Sequence, residues 1–218
     1  MPQLVTDVEK RISLSRYKTM DYEQAWELQR TLHADVATGS GPNTLMLLEH
    51  PSVYTAGRRT EEFERPLDGS KVIEVDRGGR ITWHGPGQLV GYPIVKLLEP
   101  TEVVGFVREI ESALINVCSD LGISASRIEG RSGVWVVDSQ GDRKIAAIGV
   151  RVAKGVTMHG FALNVNPDLA AYDQIVACGI RDAQVTSLQK ELGREITIEE
   201  ITEIVETHVL KSLRKVCS

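Results

Sequence analysis

Cys178 is the candidate nucleophile in this sequence. It lies in the segment QIVACGIRDAQVTSL, where an apolar, helix-like run changes into a polar loop. Loops carry functional side chains more often than element interiors do, so a thiol at this break is suited to a cleft. Cys118 lies on the apolar stripe of a predicted helix, so we expect a core residue there. Cys217 is next to the chain end, where chains usually fray, and we assign it no function.

A nucleophilic thiol needs a neighbouring cation or base that lowers its pKa. Lys144 begins the apolar strand KIAAIGVRV, His84 lies in WHGPGQ and His159 lies in MHGFALN. Each histidine precedes a glycine, which leaves room for a ligand beside it. The simpler alternatives are a lysine whose stem covers apolar surface at a strand end and histidines that serve only as structural hydrogen-bond donors. Sequence spacing does not choose among the three residues.

A glycine-rich stretch, RGGRITWHGPGQLVGYPI at residues 77–94, interrupts a strand-like pattern with five glycines and two prolines. Glycine weakens a strand interior, and its usual reason is a bulge or the close approach of another group to the backbone. We therefore interpret this stretch as backbone shaped around a ligand.

Bulk composition excludes several classes of protein. With 218 residues, of which 42% are hydrophobic, the chain is predicted to form one domain, residues 1–218. A net charge of -5 argues against nucleic-acid binding, which favours a basic face. No apolar run approaches the roughly 20 residues of a membrane span, and the N-terminus is too polar for a secretory signal, so we expect a cytoplasmic protein. The three cysteines are widely spaced, so we expect thiols, with neither a disulfide framework nor a metal site.

Hydrophobic periodicity predicts the elements that position these residues. Helices are expected from near Asp21, from a cap at Thr101, and after Thr197, where Thr197 and Glu200 have the spacing of a capping box. A buried strand NTLMLLEH follows the first helix, and KVIEV and the start of the glycine-rich stretch read as two strands joined by the tight turn DRGGR. SGVWVVD, RKIAAIGVRVA and VTMHGFALNV form a meander. Without a βαβ repeat, this order predicts an α+β fold with a mixed or antiparallel sheet covered by helices.

Five motifs in this order carry a resemblance to a known family: RGGRITWHGPGQLVGYPI, GRSGVWV, RKIAAIGVRV, MHGFALNVNPDL and ACGI. The chain resembles lipoate-protein ligase B, the octanoyl-[acyl carrier protein]:protein N-octanoyltransferase family, from about residue 43 to 188. The resemblance implies a mixed, mostly antiparallel sheet flanked by helices, as in biotin and lipoate protein ligases. Ala177 departs from the family pattern, which has a proline before the cysteine, and this difference bears on the rigidity of the loop.

The resemblance also implies roles for individual residues. Cys178 matches the cysteine that accepts the octanoyl chain as a thioester, and Lys144 matches the lysine that lowers the pKa of that thiol. Three further segments match the substrate-binding backbone. Their residues, together with His159, are Arg77, Gly78, Gly79, Arg80, Ile81, Thr82, Trp83, His84, Ala147, Ile148, Gly149, Gly160, Phe161 and Ala162.

The implied reaction is octanoyl transfer through a Cys178 thioester to a lysine amine, without a cofactor. The implied partners are octanoyl-acyl carrier protein and the lipoyl domains of 2-oxoacid dehydrogenase E2 subunits and of the glycine cleavage H protein. These partners are generally acidic, and residues 131–154 carry a net charge of +3, from five basic residues and two aspartates. We therefore expect a basic cavity mouth that steers acidic partners, with an ordinary solvated face as the alternative.

Three other functions remain open at this stage. An ATP-dependent lipoate or biotin ligase would share the fold but have no use for a nucleophilic thiol. A non-catalytic protein that holds lipoyl domains or acyl groups would not become acylated at Cys178. A cysteine hydrolase would use water in place of an amine as the acceptor.

Overall fold

The computed structural model describes residues 12–175 and 184–218. Its strands and helices alternate irregularly along the chain, as the sequence predicts. In chain order they are β1 Ser13–Thr19, α1 Tyr22–Thr38, β2 Thr44–Glu49, β3 Val53–Ala56, β4 Val72–Glu74, β5 Thr82–His84, β6 Gln88–Ile94, α2 Val103–Asp120, β7 Ser126–Ile128, β8 Arg131–Asp138, β9 Gly141–Ala153, β10 Val156–Asn164, β11 Gln184–Val185, α3 Leu188–Leu192 and α4 Ile198–Val216.

The large sheet has the strand order β1-β2-β6-β10-β9-β8-β7, and β11 pairs with β9. The β1–β2 and β9–β11 pairs are parallel, and the remaining neighbours are antiparallel. The predicted meander forms the antiparallel run β8, β9 and β10. The prediction of a mixed, mostly antiparallel sheet is therefore confirmed.

A smaller sheet of three strands has the order β4-β3-β5. The sequence predicts that KVIEV and the start of the glycine-rich stretch are strands joined by a tight turn, and both strands are present. They do not pair with each other, because β3 lies between them, parallel to β4 and antiparallel to β5. The glycine-rich stretch is also not one strand: β5 belongs to the small sheet, and β6 belongs to the large sheet.

The helix ends show how far local capping rules apply. Asp21 caps α1, where its carboxylate accepts hydrogen bonds from two backbone N–H groups of the first turn, and Thr197 caps α4 by accepting from the N–H of Glu200. The predicted cap at Thr101 is wrong. Glu102 occupies the cap position of α2 without a side-chain hydrogen bond.

The hydrophobic core has a part on each face of the large sheet. Helices α2 and α4 cover one face, and α1 covers the other. On α2, Phe106, Ile110, Leu114 and Cys118 are buried at helical spacing, and each fully buried aliphatic side chain contributes about 1.5–3 kcal/mol. Cys118 is therefore a core residue, as predicted, and burial raises its pKa to about 12.

Cys217 departs from the sequence expectation. Its side chain is fully buried in the same core as α2 and α4, and its backbone N–H donates to the carbonyl of Leu213. The neighbouring Leu97 forms a β-bridge with Cys217, which joins the chain end to the segment after β6. Fraying is thus the wrong prediction for this position.

Within residues 12–175 and 184–218, no helix is long and apolar enough to cross a membrane.

Candidate active site

One cavity of about 350 Å³ collects most of the residues that the sequence nominates. Residues of α1, of β5 in the small sheet and of β6, β8, β9 and β10 in the large sheet line it. The predicted site residues that line it are Arg77, Gly79, Arg80, Ile81, Thr82, His84, Lys144, Ala147, Ile148, Gly149, His159, Gly160, Phe161 and Ala162. Segments that are remote in sequence therefore meet at one place.

Within residues 12–175 and 184–218, two predicted residues, Gly78 and Trp83, are not among those that line the cavity. Gly78 bonds through its N–H to the carbonyl of Val150 at 3.0 Å. Trp83 is buried with its indole N–H donated to Ser52 Oγ at 2.9 Å, and its ring packs against Tyr172. Cys178 lies outside the described residues.

Arg77 organises the glycine-rich loop from within. Its side chain is buried, and its guanidinium donates to the backbone carbonyls of Gly78, Arg80 and Thr55 at 2.8–3.1 Å and also to Thr55 Oγ1. A guanidinium has five N–H donors in a planar fork, so one side chain can bind several carbonyls of a curved backbone. The loop shape is thus set by an internal cation.

The glycines of this stretch serve two different purposes. A Cβ on Gly85 would lie 2.0 Å from the ring of Trp83, and one on Gly91 would lie 2.1 Å from the ring of Phe161. These glycines make room for the protein's own aromatic rings. Gly79 differs, because it lines the cavity and has a φ of +89°, which side-chain-bearing residues rarely adopt. The structure thus gives Gly85 and Gly91 a reason other than a ligand, and for Gly79 the ligand interpretation stays a prediction.

Lys144 lies near the start of β9 between two neighbouring strands. Trp135 of β8 is opposite Lys144 on one side, and Val185 of β11 is opposite it on the other. Between the pairs Val134–Ala146 and Trp135–Lys144, β9 contains one extra residue, Ile145. Such a bulge rotates the strand locally and redirects a side chain. Lys144 and Ala147 consequently line the same cavity, although regular alternation would place them on opposite faces.

A buried carboxylate braces the backbone next to Lys144. Glu111 of α2 is fully buried and accepts hydrogen bonds from the guanidinium groups of Arg108 and Arg127 and from the N–H of Gly133 at 3.0 Å. A Cβ on Gly133 would lie 3.4 Å from Lys144 Cε. The position of this part of β8 beside Lys144 therefore depends on a charge held by α2.

His84, which lines the cavity, belongs to a neutral, hydrogen-bonded group of side chains. Its Nδ1 donates to Gln88 Oε1 at 2.7 Å, while the amide of Gln88 donates to Asn164 and Tyr172. Burial lowers the pKa of His84 well below its usual value. Its ring stacks on that of Tyr22 at a centroid distance of 5.8 Å, and burial raises the pKa of Tyr22 to about 12. Both side chains are uncharged at neutral pH.

His50 continues this group away from the cavity. It is fully buried, its Nδ1 donates to the carbonyl of Met20 at 2.7 Å, and its Nε2 accepts from the hydroxyl of Tyr92 at 2.7 Å. Burial lowers its pKa to about 4. The hydrogen-bonded ring of His50 thus sets the orientation of Tyr92, which lines the cavity.

His159 has the backbone geometry of a specialised position, with a φ of +58°. Its Nε2 donates to Asp76 Oδ1 at 2.7 Å, and Arg151 donates to the other oxygen of the same carboxylate at 2.5 Å. Burial lowers the pKa of His159 to about 4, although Asp76 opposes that shift. The ring is a neutral, oriented part of the cavity wall. No cluster of three or more metal-ligating side chains occurs among residues 12–175 and 184–218.

Sequence reasoning misses six residues that line the cavity: Tyr22, Arg59, Tyr92, Gly130, Arg131 and Ser132. Tyr22 is visible in the sequence only as part of an apolar helix stripe. Arg131 lies in the predicted basic segment, which is a usable signal. The segment GRR, residues 57–59, carries no pattern that distinguishes Arg59 from an arginine in a surface turn.

Comparison with known proteins identifies the family. Residues 21–210 match the model of the lipoyl protein ligase A/B catalytic domain. The octanoyltransferase of Salinispora arenicola is 58% identical over 207 residues, which cover 94% of this chain and 97% of that protein. The chain belongs to the lipoate-protein ligase B family of octanoyltransferases. The octanoyltransferase of Acidothermus cellulolyticus is 60% identical over 195 residues, which cover 89% of this chain and 88% of that protein.

Proteins with little sequence identity to this lipoate-protein ligase B family member share its fold. A crystal structure of lipoate-protein ligase A bound with ATP aligns with a TM-score of 0.76 at 15% identity, covering 93% of this chain and 85% of the other. At that identity the likeness shows the fold alone. The predicted α+β fold of the lipoate ligase type is confirmed.

Proposed function

We propose that this protein transfers an octanoyl group from octanoyl-acyl carrier protein to the amine of a specific lysine on lipoyl domains. The observation that carries the proposal is that one cavity unites Lys144 with all three backbone segments implied by the family resemblance. Octanoyltransferases that are 58% and 60% identical over about nine-tenths of the chain support the reaction class.

The cavity wall suits an acyl chain. The apolar residues Ile81, Ala147, Ile148, Phe161 and Ala162 are among those that line it. Burying an aliphatic chain contributes about 0.8 kcal/mol for each methylene, so an eight-carbon chain gains several kcal/mol. Such a gain holds the thioester in place while the second substrate binds.

Cys178 is proposed as the acceptor of the acyl group. Described residues on both sides of it lie beside the cavity wall: Tyr172 bonds to Gln88, which holds His84, and Val185 pairs with Lys144. In the proposed first half-reaction the Cys178 thiolate attacks the thioester carbonyl of the donor. The carbon–sulfur bond to phosphopantetheine then breaks, and the released thiolate takes a proton from the Lys144 ammonium, which leaves Lys144 as a neutral amine.

Lys144 is proposed to lower the pKa of the Cys178 thiol, because a nearby ammonium stabilises a thiolate. In the second half-reaction the neutral amine of the acceptor lysine attacks the acyl-enzyme. The Cys178 thiolate leaves, the neutral Lys144 amine takes the proton lost by the attacking amine and becomes an ammonium again, and an octanoyl amide results. A thioester is converted to an amide, so the reaction needs no ATP and no cofactor.

The proposed reaction requires an acyl donor and an acyl acceptor. The donor is octanoyl-acyl carrier protein, and the acceptors are lipoyl domains of 2-oxoacid dehydrogenase E2 subunits and of the glycine cleavage H protein. We also propose that residues 1–218 act as one catalytic domain and that the protein works in the cytoplasm, where both partners are made.

Intact-mass spectrometry after incubation with octanoyl-acyl carrier protein tests the proposal. We expect one octanoyl adduct that hydroxylamine releases, that maps to Cys178, and that is then transferred to a lipoyl domain without ATP. In Cys178→Ser no thioester should form. An adduct on Cys118 or Cys217 would refute the nucleophile assignment. Transfer from free octanoate that requires ATP would favour a ligase, and release to water alone would favour a hydrolase.

A further inference from the structure

The cavity has an unusual balance of charge for an acyl-chain site. Arg59, Arg77, Arg80, Arg131 and Lys144 line it, and no aspartate or glutamate of the described residues does. An octanoyl chain offers nothing for these cations to bind. The donor molecule of the proposed function, however, carries a phosphodiester in its phosphopantetheine arm.

These cationic side chains differ in the hydrogen-bond acceptors that the protein itself provides for them. Arg77 is committed to backbone carbonyls of its own loop. Arg80 donates to the buried carboxylate of Glu64 at 2.8 Å, and Arg131 donates to Asp142 at 2.9 Å. For the guanidinium of Arg59, the described residues provide neither a carboxylate nor another hydrogen-bond acceptor. Arg59 is therefore the cavity arginine best placed to take an external anion.

The backbone that carries Arg59 is held firmly. Its N–H donates to the carbonyl of Gly79 at 3.0 Å, and the N–H of Arg58 donates to the carbonyl of Arg77 at 3.1 Å. Both side chains are exposed, but only that of Arg59 lines the cavity. A fixed backbone with an exposed guanidinium at the rim favours contact with a ligand that enters from solvent.

We propose that Arg59 binds the phosphodiester of the donor's phosphopantetheine arm at the cavity mouth, with Arg80 and Arg131 adding positive potential. A guanidinium matches phosphate oxygens with paired N–H donors. The inference rests on the proposed function, because it assumes that the acyl donor is a phosphopantetheine thioester. It assigns a binding role to a residue for which the sequence alone offers no signal.

Two small donors that differ only in the phosphate provide the test. The kcat/KM of Cys178 acylation is measured with octanoyl-phosphopantetheine and with octanoyl-pantetheine, for the unaltered protein, Arg59→Gln and Arg58→Gln. We expect the unaltered protein to prefer the phosphorylated donor. The preference should fall about tenfold in Arg59→Gln, which is typical of one lost charge-assisted hydrogen bond. Arg58→Gln, the neighbouring exposed arginine outside the cavity, should retain it.

The outcomes separate this inference from the proposed function. Equal use of both donors by the unaltered protein, or equal loss of preference in the two variants, would overturn the role of Arg59 while leaving octanoyl transfer intact. A defect of Arg59→Gln confined to transfer onto the lipoyl domain would also overturn it, since Arg59 would then contact the acceptor. No acylation by octanoyl-acyl carrier protein would instead refute the proposed function.

If both small donors react too slowly, competition provides a second measurement. Phosphopantetheine should inhibit acylation by octanoyl-acyl carrier protein more strongly than pantetheine does, and Arg59→Gln should reduce this difference about tenfold. Equal inhibition by the two compounds would overturn the proposal. Raising the salt concentration should narrow the difference in the unaltered protein, because exposed charges are screened.

Discussion

The ammonium of Lys144 lies 4.5 Å from the centroid of the Trp135 indole ring. Trp135 is fully buried, and the Lys144 side chain is almost so. The electron-rich face of an aromatic ring attracts a cation, and the attraction increases when both groups are removed from water. The indole of β8 thus holds the charge of β9 at the cavity wall. A simple strand-end lysine with its amine in solvent is not what the structure contains.

Replacing Lys144 tests whether this charge acts on Cys178. Lys144→Met keeps the volume and removes the charge, so the pKa of the Cys178 thiol should rise toward its free value of about 8.5. The rate of alkylation by iodoacetamide, followed against pH, measures that pKa. Lys154→Met, at an exposed position in the β9–β10 turn, is the matched control and should leave it unchanged.

The histidine variants complete this experiment. His84→Asn and His159→Asn should leave the pKa of Cys178 largely unchanged, since burial keeps both rings neutral at the pH of the assay. A pKa that moves in either histidine variant but stays constant in Lys144→Met would replace the proposed cysteine–lysine pair with a cysteine–histidine pair.

Gly78 and Gly79 provide a matched pair for the glycine-rich loop. Gly79→Ala forces a side chain into a φ of +89° and should destabilise the protein by about 1–2 kcal/mol. At Gly78 a Cβ would meet only the carbonyl of Val150, at 3.4 Å, so Gly78→Ala should have a smaller effect. Urea unfolding measures both, and acylation of Cys178 should fall more in Gly79→Ala. Equal behaviour of the two variants would count against a special role for the Gly79 backbone.

Glu111 is expected to matter for both stability and the site. Glu111→Gln removes the charge that binds Arg108 and Arg127 and should cost about 1–3 kcal/mol in the free energy of unfolding. Glu109→Gln, on the same helix, breaks only the exposed ion pair with Lys215 and should cost less than about 1 kcal/mol. Because Gly133 lies beside Lys144, Glu111→Gln should also slow alkylation of Cys178. A loss of stability without any change in the rate of alkylation would show that Glu111 stabilises the fold but does not position Lys144.

The buried histidines predict a stability change in mildly acidic solution. Burial lowers the pKa of His50 and of His159 to about 4, whereas unfolded histidine titrates near 6.5. The unfolded chain therefore binds more protons below pH 6.5, and stability should fall as the pH decreases from about 6.5 to about 4. Each histidine contributes on the order of 1–3 kcal/mol to that fall. The pKa of Asp76 is lowered, so the stability that its carboxylate contributes is lost only at a lower pH than that of the histidines.

The melting temperature between pH 7 and pH 4 measures this effect. His50→Gln removes one titrating ring while keeping a hydrogen-bonding side chain, and it should flatten the profile in that window. His208→Gln is the control, because His208 pairs with Asp120 at the surface. An identical slope in the protein with and without His50 would show that the acid sensitivity has another source.

The local elements could be predicted from the sequence because their signals are local. The apolar period of α2 predicts both the helix and the burial of Cys118, and the turns of the meander predict the order of β8, β9 and β10. Neither inference needs a contact between distant segments. The family motifs add the names of Lys144 and Cys178, and the role of each stays a prediction.

The composition of the cavity was decided by tertiary structure. Strict alternation would place Lys144 and Ala147 on opposite faces of β9, and only the bulge at Ile145, set by pairing with β8, brings them to one side. The rim position of Arg59 depends on a hydrogen bond to Gly79 across another loop. These arrangements follow from strand register and packing between segments far apart in the chain, and side-chain periodicity within one segment contains no information about either.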